Sequence, residues 1–154
     1  MWIATLCYLL RGDEVLLIRK LRGFGAGKYN GVGGKVEEGE DIWRAAMREV
    51  LEETGVEVKG LSYRGLLEFY AGGEEPEIIV HVFVSRDFAG EARPSDEAVP
   101  TWFKVGEIPY DEMWEDDRVW LPRVLEGRCV YGRFWFSGGF EKMLRYELSV
   151  YDGC

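Results

Sequence analysis

The stretch GGKVEEGEDIWRAAMREVLEETGVEV, from Gly33 to Val58, constrains the fold of this chain more than any other. At about 100° per residue, Ile42, Trp43, Ala46, Met47, Val50 and Thr54 share one arc of a helix predicted from Asp41 to Thr54. Such an apolar stripe must be buried against another layer. Gly55 stands where a left-handed glycine ends a helix. Along the edge of the stripe, Glu49, Glu52 and Glu53 are spaced i, i+3 and i+4 and span an arc of roughly 100°. Like charges at this spacing repel by a few tenths, about 0.2–0.5 kcal/mol. Arg48 reaches Glu52, which leaves Glu49 and Glu53 uncompensated. Charge runs usually face water. The other reading is a site for a hard divalent cation such as Mg²⁺ or Mn²⁺, which takes carboxylate oxygens and brings phosphates with it.

Strand signals supply the layer that the helix needs. WIATLCYLL and EVLLIRK flank Arg11-Gly12-Asp13, a hairpin signal. LRGFGAGKYNG is a glycine-rich loop, and VGGKV is a short strand or turn. Further strands are predicted over EVKGLSYRGLLEFYA and EIIVHVFVSRDF, joined by the turn GGEEPE, and over TWFKVGEI. DEMWEDDRVWLPRVLEG reads as a second helix in which Pro122 forces a kink or marks the first turn. RCVYGRFWFSG and MLRYELSVY alternate like a closing hairpin. Two helices and about seven or eight strands give an α/β sandwich around a mixed sheet. With 154 residues and no linker or repeat, residues 1–154 read as a single domain.

The net charge of −9 and the absence of a Lys/Arg cluster argue against a nucleic-acid groove. An anionic substrate therefore needs a metal, a few placed cations or backbone N–H groups. Cys7, Cys129 and Cys154 have no metal-ligand spacing and are read as reduced thiols. The apolar run Trp2–Leu10 is too short to span a membrane and lacks the basic start of a signal peptide. A cytoplasmic protein without a membrane partner is the expectation.

Gly34, five residues, Glu40, seven residues, then Arg48-Glu49-Val50-Leu51-Glu52-Glu53-Thr54-Gly55-Val56 match every fixed position of the Nudix box. With RGFGAGKYNGVGGKVEEGE, SDE, IPYDEMWEDDRVWLP and YGRFWF, nearly the whole chain resembles the MutT-related oxidised-purine nucleoside triphosphate diphosphatases of animals. The resemblance implies the Nudix fold, an α/β/α sandwich. It also implies Mg²⁺-dependent hydrolysis, with Mn²⁺ a possible substitute, of 8-oxo-dGTP and 2-hydroxy-dATP to the monophosphate and pyrophosphate. The implied partner is this small nucleoside triphosphate, and the protein is expected to be a monomer.

Carried over residue by residue, Glu52 and Glu53 are the central metal ligands. Glu49 is a third ligand or the base that orients water. Glu97 of PSDEAVP and the Gly33 carbonyl complete the metal shell, and Arg48 orients the carboxylates. Lys20 and Lys35 flank the glycine-rich loop and are assigned to substrate, as is Thr5. In MWEDD, Asp116 and Asp117 could simply cap the following helix. The resemblance instead has Trp114 stack on the purine, the Asp pair read its edge and Asn30 read another edge. Phe24, Phe69 and Phe136 align with lining positions. Three departures stand out from the animal enzymes. Tyr29 replaces a Trp, Glu115 replaces a Pro within the loop, and Ala98 replaces a Met, which is expected to enlarge the pocket floor.

Alternatives are a Nudix pyrophosphohydrolase for normal or methylated nucleotides, ADP-ribose or a nucleotide sugar, and a nucleotide-binding module without activity. The intact carboxylates argue against the module, and the Trp114–Asp117 match argues against the other substrates. An accessory domain of a DNA-repair glycosylase would need an attached catalytic domain.

Overall fold

A computed structural model describes Met1–Cys154. In chain order its elements are β1 Trp2–Arg11, β2 Glu14–Lys20, β3 Tyr29–Asn30, β4 Val32–Lys35, α1 Ile42–Thr54, β5 Glu57–Tyr70, β6 Ile78–Ala89, β7 Ala98–Lys104, α2 Asp117–Leu125, β8 Cys129–Phe136 and β9 Met143–Tyr151. The predicted hairpin of β1 and β2 turns at Gly12, with φ +59°, and pairs Leu10 with Val15 and Arg11 with Glu14. β1 runs parallel to β6 and β5 parallel to β8, while β5–β6 and β8–β9 are antiparallel, so the sheet is mixed. Its order is β3-β2-β1-β6-β5-β8-β9, with β4 also paired to β1 and β7 to β2.

Alternation along β1 divides the interior into two cores, because successive side chains of a strand point to opposite faces. Tyr8 and Leu10 join Trp120, Leu121 and Val124 of α2. Cys7 and Leu9 join Ala46 and Val50 of α1. The α/β/α sandwich expected from the sequence is this arrangement. No helix is long and apolar enough to cross a membrane.

Helix α1 starts where it was expected. The Asp41 carboxylate accepts from Arg44 N at 2.8 Å as an N-cap, and Gly55 closes the helix with φ +79°. One residue of the expected stripe differs. Trp43 is 42% exposed and packs edge-on against Phe83 at the rim of the sheet, while Ala45 takes the buried position. The small Ala45–Ala46 pair lets the helix backbone approach the sheet closely, which leaves the bulky indole at the margin.

Three other expectations are corrected. The second helix does not begin at Asp111. A single 3₁₀ turn covers Tyr110–Glu112, and α2 starts only at Asp117, with Pro122 inside it. TWFKVGEI is strand only to Lys104 and then turns through Val105–Glu107, while the strand begins earlier, at Ala98. Cys129 and Cys154 form a disulfide and are not free thiols; only Cys7 is free. The antiparallel register sets Cys129 opposite Tyr151, so the chain end folds back onto the start of β8. Nothing in the spacing of these cysteines along the chain marks this closeness.

Candidate active site

The acidic edge of α1 faces a cleft lined by Lys35, Glu37, Arg48, Glu49, Glu52, Glu53 and Glu97. Arg48 organises it. Its Nε donates to Glu40 at 2.7 Å, its Nη1 to Glu49 at 2.9 Å and Glu52 at 3.3 Å, and its Nη2 to the Lys35 carbonyl at 3.2 Å. These bonds hold the Glu40 carboxyl down at about 2. Arg48 thus ties Glu40, Glu49 and Glu52 together by hydrogen bonds. Glu49 lies against Gly34, where a Cβ would stand 2.7 Å from the Glu49 carboxyl carbon. A Cβ at Gly33 would collide with the Thr5 carbonyl oxygen. The glycine pair therefore lets β4 pass between β1 and the helix.

Glu53 differs from its neighbours. It is 5% exposed, and its Oε2 has no hydrogen-bond partner in the protein. Burial, and then the charge of Glu49, push its pKa up to about 8. Burial also raises that of Glu49, against the opposing pull of Arg48. No three of the carboxylates converge as a ready-made ligand set. Arg48 draws Glu49 and Glu52 to itself, and Arg22 donates to Glu97 at 2.9 Å on the opposite wall. The donor set is nonetheless one of hard oxygens around a buried carboxylate with one unpartnered oxygen, which fits a hard divalent cation.

A second cavity opens beside this cleft. Thr5, Lys20, Phe24, Asn30, Gly33, Phe69, Trp114, Asp116, Asp117 and Phe136 all line it. Every residue assigned to substrate is thus gathered there except Lys35, whose Nζ lies 4.6 Å from the Trp2 ring centroid at the acidic side. Phe24 stacks on Trp114, with ring centroids 5.0 Å apart. Lys20 Nζ donates to the Phe24 carbonyl at 2.8 Å and holds the loop in place. Gly25, at φ +81°, is needed there, since a Cβ would stand 3.1 Å from the Trp114 indole nitrogen.

Asp116 and Asp117 are 4% and 2% exposed. Asp116 occupies the N-cap position of α2, yet its side chain makes no capping bond. Its Oδ2 instead accepts from the Trp120 indole N–H at 2.8 Å. The helix-cap reading of the pair is therefore excluded for Asp116. Burial raises both pKa values. For Asp116 the Trp120 bond opposes the rise, whereas for Asp117 the neighbouring Asp116 adds to it. The pair as a whole therefore holds a proton more readily than two exposed carboxylates would.

The departures read differently in three dimensions. Ala98 is fully buried in the core beside α1 and does not line the cavity, so the expected enlargement of the pocket floor does not arise. Glu115 Oε1 accepts from Met143 N at 3.1 Å, a tie that restrains the loop where a proline would have stiffened it. Tyr29 packs edge-on to Phe103 under the Arg19 guanidinium. Sequence reasoning missed Trp2, Ile78, Val80 and Phe140, all of which line the cavity. Phe140 follows a Gly-Gly turn with φ +60°, and nothing local announces that its ring reaches Phe24 and Phe136.

The family model described as NUDIX domain matches residues 2–124. The chain belongs to the Nudix family. Among curated Nudix relatives, it is 44% identical to the oxidized purine nucleoside triphosphate hydrolase of Danio rerio, over 88% of this chain and 87% of that protein. It is 40% identical to the Mus musculus protein of the same description, over 96% and 94% of the two chains. A solved MutT structure from Bacillus halodurans superposes with a TM-score of 0.85 at 30% identity, covering 97% and 98% of the two chains. Nudix hydrolases generally use divalent metal ions, in keeping with the acidic cleft.

Proposed function

We propose that this Nudix hydrolase cleaves oxidised purine nucleoside triphosphates, 8-oxo-dGTP and 2-hydroxy-dATP, to the monophosphate and pyrophosphate, and so cleans the nucleotide pool. The observation that carries the reading is the buried Asp116–Asp117 pair at the end of an aromatic cavity that adjoins the Glu53 cleft. The relatives that match nearly end to end act on oxidised purine nucleotides by their descriptions.

In this reading Trp114 stacks on the purine, displacing Phe24 from its face. Phe69 and Phe136 exclude water, and Thr5 lines the wall. Asn30 and the Asp pair read the base edge with donors and acceptors that no apolar wall supplies. Lys20 and Lys35 meet the polyphosphate. Glu52, Glu53, Glu97 and the Gly33 carbonyl hold Mg²⁺, with Mn²⁺ a substitute, and Glu49 binds metal or orients water. The bound ion supplies charge neutralisation of the phosphates and of the charge that develops at phosphorus. Arg48 aims Glu49 and Glu52 through its hydrogen bonds. Asp116 accepts from the base, and Asp117 donates its proton; exchanging the two roles matches a second edge. The reading also carries a cytoplasmic location and a monomer.

A panel assay of pyrophosphate release tests it. Both oxidised triphosphates, N-methylated and normal purine triphosphates and ADP-ribose are compared with Mg²⁺ and with EDTA. The expected result is Mg²⁺-dependent turnover, fastest on the oxidised purines. Preference for ADP-ribose, or turnover in EDTA, overturns it.

A further inference from the structure

Behind the base cavity lies a group to which the function above gives no part. Tyr8, on β1, is fully buried, and its hydroxyl proton has no acceptor in the protein, although the Gly31 backbone N–H bears on its oxygen. Burying a hydroxyl without an acceptor for its proton is costly, so an isosteric Phe would serve the core better. The phenol lies directly beneath Gly31, whose backbone lines the cavity: a Cβ on Gly31 would stand 2.5 Å from Tyr8 Cζ and 2.9 Å from its Oη. Its ring packs edge-on against Trp120, with centroids 5.9 Å apart, and Trp120 is the residue whose N–H holds Asp116. On the same side, Asp117 Oδ2 is also buried and also without a partner. Burial and then the charge of Asp117 raise the Tyr8 pKa, so one unspent donor and one unspent acceptor lie within electrostatic reach of each other.

We propose that Tyr8 is a specificity-setting positioning residue: its hydroxyl is the rear hydrogen-bond partner of Asp117 and so fixes which purine edges the Asp116–Asp117 pair accepts. The inference rests on the base-reading role proposed above for the pair. Trp120 already serves Asp116. A rotation of the Asp117 carboxyl toward Tyr8 gives Asp117 a matching donor and leaves its other oxygen to face the base. With a donor behind each carboxylate, either can be the ionised member, and the pair serves two donor–acceptor orders. Without Tyr8, the charged form of Asp117 keeps only the Trp114 backbone hydrogen bond and the pull of Lys28 against burial and the Asp116 charge, and the pair favours one order. The other charged or titratable groups around the pair are Tyr110, Glu115 and Lys28. Glu115 repels a charge on Asp116, Lys28 favours a charged Asp117 from over the Trp114 ring at 5.1 Å, and the Tyr110 phenol is only half-buried.

The test is Tyr8→Phe, which keeps the ring and removes only the hydroxyl. The ratio of kcat/KM for 8-oxo-dGTP to that for 2-hydroxy-dATP is expected to change about tenfold or more, mainly through KM, with kcat on the retained substrate held. In the free protein, the titration of the pair, followed by carboxyl ¹³C chemical shifts, is expected to move upward, because a donor to the ionised form has gone. The melting temperature stays or rises. A ratio within twofold of wild type overturns the proposal, and so does an unmoved titration. If wild type hydrolyses neither nucleotide, the proposed function fails by itself, and the carboxyl titration alone decides the role of Tyr8.

Discussion

Glu53 concentrates the chemistry of the acidic cleft in one side chain, since it is the carboxylate that is both buried and unpartnered. Replacing it by Gln leaves the shape and removes the charge. Glu53→Gln is expected to lose at least about 100-fold in kcat at ordinary Mg²⁺, consistent with the several kcal/mol a bound metal contributes, while far-UV circular dichroism stays native. Near-wild-type turnover would remove Glu53 from the metal site. At the other end of the substrate, Asp116→Asn and Asp117→Asn each freeze one member of the pair as an amide. Each is expected to lose one oxidised substrate far more than the other, because a missed hydrogen bond at a buried site costs about 1–3 kcal/mol. Steady-state kinetics on both nucleotides reads this directly; unchanged activity of both variants on both substrates would end the base-reading role.

At the scale of elements, α1 and the glycine-rich loop do different work. The helix is held by Asp41 at one end and Gly55 at the other. Gly55→Ala forces a Cβ into the left-handed region, where the Arg93 guanidinium also stands 3.0 Å away. A loss of about 1–2 kcal/mol in chemical denaturation is expected from the left-handed penalty. The loop between β2 and β3 instead carries Phe24 onto Trp114 through Gly25. Gly25→Ala meets strain at φ +81° and crowds the indole, so it is expected to raise KM several-fold with little change in global stability. Equal falls in kcat and melting temperature, with KM unchanged, would mean that the loop is merely structural.

For the molecule as a whole, the buried carboxylates set how stability responds to pH. Glu53 has a folded pKa of about 8, well above that of an exposed glutamate, about 4.3. The folded state therefore binds more protons than the unfolded state between those values, and stability falls as pH rises through that window. Glu49, Asp116 and Asp117 are raised too and act in the same sense. Glu40 is depressed, and its contribution is lost only as pH falls toward about 2. In EDTA, the melting temperature is expected to rise as pH is lowered from 8 to about 5, with a shallower slope in Glu53→Gln. A slope of opposite sign would contradict the burial of these groups as charged species. The Cys129–Cys154 bridge closes a separation of 25 residues across β8 and β9. Chain entropy allows it up to about 3 kcal/mol. Reductant is expected to lower the melting temperature of the oxidised protein but not that of Cys154→Ser.

Local order was legible in the sequence because its causes are local. The spacing of apolar residues, Asp41 and Gly55 sufficed for α1, and alternation and turn residues sufficed for the hairpins of β1–β2 and β8–β9. The carboxylates of α1 were legible for the same reason: residues three and four apart on a helix are neighbours whatever surrounds them. The length of α2, the place of Ala98, the Phe140 ring and the Cys129–Cys154 bridge were not legible, because each depends on which strand lies beside which. Tyr8 shows the difference most sharply. In the sequence it is one apolar letter of a strand, and only the packing of β1 sets its hydroxyl beneath Gly31 and its ring against Trp120. Chain chemistry determined which groups are present and how near neighbours along the chain are arranged. The tertiary structure decided which of those groups lose water and which distant partners they meet, and burial and long-range pairing are the terms that no local spacing contains.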